Sequence, residues 1–250
     1  MPRAPRRARP LPVVRLIPRQ LFLSDRRFWQ YKTGEHVSFI GPTGTGKTRL
    51  ALALLARSVT DERKGYVTVM KPRDKTVGEF MVRHHWKRIL TFPPPPDAKK
   101  VLGEEPPGYI VWPTHTKDPD GDERRHEQIF RKMHRELYVS GDCIIFDDEA
   151  VSLVREMDLK KDLVRLWTKG RSVGAGLWAA TQRPSLVPLE MYDQAQHLFL
   201  AHDPDVRNQK RFEEIGGVDP ELIRNVVVQL PKYHWLYIRR SDRTMCVVGP

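Results

Sequence analysis

Apolar positions in this chain fall into short blocks with two different periods. "HVSFI" (36–40), "YVTVM" (66–70), "YIVWP" (109–113), "CIIFD" (143–147), "GLWAAT" (176–181) and "HLFLA" (197–201) are brief apolar runs. Such runs suit strands covered on both faces. Helix-forming segments lie between them: "TRLALALLARS" (48–58), "TVGEFMVRHHWKRI" (76–89), "ERRHEQIFRKMHRELYVSG" (123–141) and "LVRLWTKG" (163–170). In the third, Ile129, Phe130, Met133 and Leu137 recur at helical spacing and Gly141 closes the run. "DPELIRNVVVQL" (219–230) opens on a capping Asp219 with Pro220 at the first helical position. "YHWLYI" (233–238) and "MCVV" (245–248) read as a closing hairpin. "FPPPPDAKK" (92–100) and "THTKDPDGDER" (114–124) read as loops. Strands alternating with helices predict an α/β fold, a three-layer sandwich around a mostly parallel sheet.

The first 20 residues break this pattern. "MPRAPRRARPLP" has too much proline for a helix and too few apolar residues for a strand. It predicts an extended or disordered basic arm over 1–20, followed by one domain over 21–250. Residues 1–30 hold eight arginines against one acid, Asp25, and so seven of the chain's twelve net positive charges. A basic arm on a mildly basic body suits a polyanion partner, with nucleic acid the first candidate. No apolar run approaches the ~20 residues of a membrane span, and the N-terminal segment has no secretory apolar core. The expected location is cytoplasmic. Cys143 and Cys246 are the only cysteines; without CxxC spacing they predict neither a zinc site nor a disulfide framework.

The chemistry starts at "GPTGTGKT". Gly41, four residues, then Gly46, Lys47 and Thr48 form the P-loop pattern between a strand and a helix. The loop's glycines let backbone N–H groups converge on phosphates, and the following helix aims its positive end at them. Gly41, Pro42, Thr43, Gly44, Thr45, Gly46, Lys47, Thr48 and Arg49 are the candidate nucleotide-binding residues. Lys47 would reach the β and γ phosphates, and Thr48 would offer its hydroxyl to Mg²⁺. "CIIFDDEA" supplies the acids on a second strand. Counting four apolar residues points to Asp147 as the metal-side acid; the Asp-Glu-Ala ending points to Asp148, with Glu149 activating water. Adjacent strand residues face opposite ways, so the two are not equivalent; Asp148 is the candidate metal-side acid and Asp147 the alternative. An Asp-Glu pair favours hydrolysis over transfer to a small molecule. A GTPase reading fails at "TKDP" (116–119), where Pro119 stands in the place of the guanine-reading aspartate.

Together "GPTGTGKT", "IIFDDEA" and "GRSVGAGLWAATQRPSLVP" resemble the FtsK–HerA superfamily of ring-forming ATPases, over residues 36 to about 203. The resemblance implies a RecA-like P-loop NTPase fold. It places the "ATQRPS" strand between the P-loop strand and the acidic strand, and makes Gln182 the sensor of the γ-phosphate. A primary amide suits that role, since it donates and accepts at once without adding charge. The resemblance also implies a homo-oligomeric ring, a hexamer, in which Arg171 enters the neighbouring subunit's site, with Arg165 and Arg183 as competitors. ATP, Mg²⁺ and DNA follow as cofactors and partner, and a DNA translocating, packaging or transfer motor as the function. An assembly or export ATPase acting on protein is the alternative; a P-loop kinase or switch is a third reading.

Other residues carry bland readings. His84 and His85 are adjacent on an expected helix and cannot share a metal. His115, His126 and His134 lack Cys or carboxylate companions at ligand spacing. Cys143 reads as a small core residue.

Overall fold

The computed structural model describes residues 14–99, 104–212, 215 and 218–250. Its strands are β1 (Leu16–Pro18), β2 (Val37–Ile40), β3 (Lys64–Thr68), β4 (Lys87–Ile89), β5 (Gly108–Val111), β6 (Cys143–Asp147), β7 (Ala175–Thr181), β8 (His197–Ala201), β9 (Trp235–Arg239) and β10 (Thr244–Gly249). The helices are α1 (Arg19–Ser24), α2 (Lys47–Ser58), α3 (Lys75–Arg83), α4 (Pro119–Ser140), α5 (Ala150–Arg155), α6 (Lys160–Lys169), α7 (Glu190–Asp193), α8 (Val206–Arg211) and α9 (Pro220–Val227). All ten strands form one open sheet in the order β1-β10-β9-β8-β2-β7-β6-β3-β5-β4. Every neighbouring pair is parallel except β8–β9 and β9–β10, so the C-terminal hairpin supplies the one reversed strand.

Strand alternation sorts side chains into two cores. Val37, Phe39, Ile144, Phe146, Trp178, Ala180 and Phe199 pack with Phe22 of α1 and Leu50, Leu54 and Leu55 of α2. The opposite face presents Ile145, Leu177, Ala179, Leu198 and Leu200 to Phe130 and Met133 of α4, Leu163 and Trp167 of α6, and Ile223 of α9. The expected three-layer α/β sandwich with its closing hairpin is thus observed. Among the described residues no helix is long and apolar enough to cross a membrane.

Three local expectations change. The helix expected over 76–89 ends at Arg83; His85 takes a left-handed φ of 56°, and Lys87–Ile89 becomes the edge strand β4. The reason is Trp86, which lies against bare backbone: a Cβ on Gly65 would sit 2.3 Å from its ring, and one on Gly108 2.5 Å. The loop expected over 114–124 instead turns helical at Pro119, because Asp118 accepts from the Gly121 N–H at 3.0 Å and Pro119 fills the first turn. The third concerns the C-terminal part of the segment expected as a basic arm over 1–20. Leu16–Pro18 pairs with β10 as an edge strand, and Arg19 opens α1. Residues 1–13 of that arm lie outside the described residues.

Candidate active site

Parallel strands end at one edge of a sheet, so whatever follows them in sequence converges there. Here β2 leads into the phosphate loop, β7 into Gln182, β6 into Asp148 and Glu149, and β3 toward Lys71. The strand β7 lies between β2 and β6, in register Ile40–Thr181 and Asp147–Ala179. This is the placement the "ATQRPS" block implied. A cleft of about 730 Å³ opens at this edge, lined among others by Thr43, Lys47, Thr48, Asp148, Glu149 and Gln182.

Gly46 caps α2 with φ 88°, a left-handed conformation that a side chain would strain. Lys47 is 7% exposed and folds back on its own loop, donating to the Gly41 carbonyl at 2.7 Å and the Pro42 carbonyl at 2.9 Å. Burial pulls its ammonium down to about 8, an effect that Asp148 and Glu149 oppose. The Thr45 hydroxyl donates to the Pro42 carbonyl at 2.8 Å and tightens the turn.

The structure separates the two aspartates. Thr48 donates its hydroxyl to Asp148 Oδ1 at 2.7 Å. Burial raises the Asp148 carboxyl above its ordinary range, against the opposing effect of the Thr48 hydroxyl and the Lys71 ammonium. Asp147 points through the other face of the sheet. It is fully buried, accepts from Thr68 Oγ1 at 2.9 Å, and lies 2.9 Å from His134 Nε2 of α4. The alternation left open by the sequence therefore puts Asp148, and not Asp147, beside Thr48. No cluster of three or more His, Cys, Asp or Glu side chains among the described residues could cage a metal. One hydroxyl and one carboxylate do fit Mg²⁺, which keeps waters and substrate phosphates as its other ligands.

Gln182 joins the two halves of the site. Its carbonyl oxygen accepts from the Thr43 hydroxyl of the phosphate loop, and its amide donates to Glu149 Oε1 at 3.3 Å. Glu149 also pairs with Lys71 Nζ at 3.0 Å, and Asp148 lies 3.7 Å from the same ammonium. Lys71 was not singled out in the sequence; its only trace there is its place just past "YVTVM", the strand that proves to neighbour β6.

Arg171 sits elsewhere. It belongs to the short turn before β7 and so to the opposite edge of the sheet from Gln182. At ~3.3 Å per strand residue, β7 separates them by about 20 Å. Arg171 cannot serve the site of its own chain. Of its competitors, Arg165 is paired with Asp162, and Arg183 lies beside Glu149 and Gln182.

No family model and no curated protein matches the chain in sequence. Solved structures do match in fold. The genome packaging NTPase B204 from Sulfolobus turreted icosahedral virus 2, in complex with AMPPCP, aligns with TM-score 0.58 and 15% identity over 88% of this chain and 100% of that one. VirB4 of Thermoanaerobacter pseudethanolicus aligns with TM-score 0.62 and 10% identity over 86% and 88%. The pCW3 conjugation coupling protein TcpA, with ATPgS, gives 0.51 and 14% over 86% and 59%.

Proposed function

We propose that this chain, which has the fold of the FtsK–HerA superfamily ATPases, is an ATP-hydrolysing motor that acts as a ring of identical subunits on DNA. The observation that carries this reading is the Gln182 amide, held between the phosphate loop and Glu149 at the end of β7. Such a bridge can report the γ-phosphate to the acid that works on water.

On nucleotide binding, Lys47 leaves the Gly41 and Pro42 carbonyls for the β and γ phosphates, where its charge is worth more than on neutral acceptors. Thr48 and Asp148 would hold the Mg²⁺ of the substrate, which would offset the negative charge of the phosphates. Glu149 orients and polarises the water that attacks the γ-phosphorus in line. Gln182 contacts both that water and a phosphate oxygen. Arg171 of the adjacent subunit stabilises charge on the γ-phosphoryl group as it transfers.

That trans role has a direct test. Lys47→Ala and Arg171→Ala subunits, each inactive alone, are expected to recover part of the ATPase activity when mixed, because hybrid interfaces pair an intact Lys47 with an intact Arg171. Mixtures as inactive as their components would remove Arg171 from the site.

DNA is favoured as the partner by the excess of positive charge and by the packaging and conjugation proteins among the structural neighbours. Phosphate contacts would grip it without reading bases. ATP turnover is expected to rise several-fold with duplex DNA and to lose that rise as salt increases. Turnover indifferent to DNA at every salt concentration would favour a protein partner instead.

A further inference from the structure

The cleft extends past the phosphate loop. Beyond Gly46 it is lined by Arg19 of α1, Arg49 and Tyr233. Tyr233 is 44% exposed, unusually open for an aromatic residue in so well packed a protein. Its backbone is in the left-handed region, at φ 66°. The Arg19 guanidinium fixes it there by donating to its carbonyl at 3.0 Å. The ring lies against the cap of α2: a Cβ on Gly46 would be 3.5 Å from Tyr233 Cδ1. Lys232 sits 5.0 Å from the ring centroid but does not line the cleft, so the tyrosine surface facing the cleft stays open.

Arg19 carries a second signal. Its Nε is buried and has no hydrogen-bond partner, and a buried donor left unmade is costly. Burial, and then the nearby Arg49 charge, pull the Arg19 guanidinium below its ordinary range. Neither arginine has an ion-pair partner among the described residues. Two cations without an ion-pair partner, in a cleft that Glu79 also lines, beside an open aromatic face suit a ligand with acceptors and a flat π surface.

Phosphates held at the first turn of α2 leave the rest of a nucleotide beyond that turn, on the side where Tyr233 lies. We infer that Tyr233 and Arg19 form the base-binding end of the cleft, the tyrosine ring stacking on a purine and the Arg19 guanidinium donating to a ring nitrogen or sugar oxygen. This rests on the reading of the cleft as an ATP site and adds to it the residues that recognise the base.

Calorimetric titration with MgATP and with magnesium tripolyphosphate, which has the phosphates but no base, tests the assignment. Tyr233→Ala is expected to weaken MgATP about 10-fold, the loss of one base–aromatic stack, and to leave tripolyphosphate affinity unchanged. Tyr233→Phe should bind both ligands as the wild type does. The Arg19 bond goes to the Tyr233 backbone, so both variants retain it. Unchanged MgATP affinity in Tyr233→Ala would overturn the assignment. Equal weakening of both ligands would also overturn it, because that would mean a displaced phosphate loop. Wild-type protein that binds neither ligand would instead reject the ATP-site reading itself, and the base site with it.

Discussion

Glu149→Gln is expected to bind MgATP with near wild-type affinity and to hydrolyse it at least about 100-fold more slowly, the usual loss when a positioned base is removed. The geometry sets that expectation. Thr48 is bonded to Asp148 and not to Glu149, so the substitution leaves the metal-side pair intact. Lys47 is anchored on loop carbonyls and remains free to move to phosphates. Gln182 can still hydrogen-bond a glutamine amide. What disappears is the carboxylate proposed to polarise water, together with the Lys71 ion pair. Single-turnover hydrolysis measured beside equilibrium nucleotide binding separates the two effects. Turnover close to wild type would refute Glu149 as the water-activating acid, whatever the binding data.

The second large effect concerns stability. Asp147→Ala is expected to destabilise the fold by about 3–5 kcal/mol, as removing one member of a buried charge pair does. His134 would be left fully buried with its Nε2 facing a void, although its Nδ1 would keep the Phe130 carbonyl at 2.7 Å. The pair also makes stability depend on pH. Burial alone would lower the His134 pKa, but the Asp147 carboxylate, by charge and hydrogen bond, and the Phe130 carbonyl more than offset it, so the imidazole titrates above its ordinary value. A group whose folded pKa is raised contributes its full stability below the unfolded value and loses it as pH climbs through the folded one. The Tm advantage of wild type over His134→Gln should therefore be greatest below about pH 6.5, the ordinary histidine value, and shrink above it. A difference constant across that range would mean that the pair carries no net charge interaction.

Much of the site was legible because the relevant residues sit in contiguous strings. The phosphate loop, the acidic strand end and "ATQRPS" each carry their proposed role within a few residues, and a parallel sheet brings strand ends to one edge. The Asp-Pro start that identified α9 at Asp219 also stands at Asp118, where the polar run around it disguised the first turn of α4. His134 read as a histidine without companions because its carboxylate lies on another element; α4 and β6 bring the two within 2.9 Å. Lys71, Tyr233 and Arg19 gave no local signal either. Arg19 and Tyr233 are 214 positions apart in the chain and meet through one hydrogen bond.

The family resemblance singled out Gln182; by itself the sequence determined the alternating α/β pattern, the P-loop motif and the acidic strand end. Periodicity and short-range spacing encode these, and both survive without knowledge of the fold. Tertiary structure alone decided which aspartate faces Thr48, since only a known strand register fixes the side of the sheet. It also decided that Arg171 is too far from its own site, because β7 places them at opposite edges. And it placed Lys71 on the acids and Tyr233 over Gly46, contacts between segments that only the folded chain brings together.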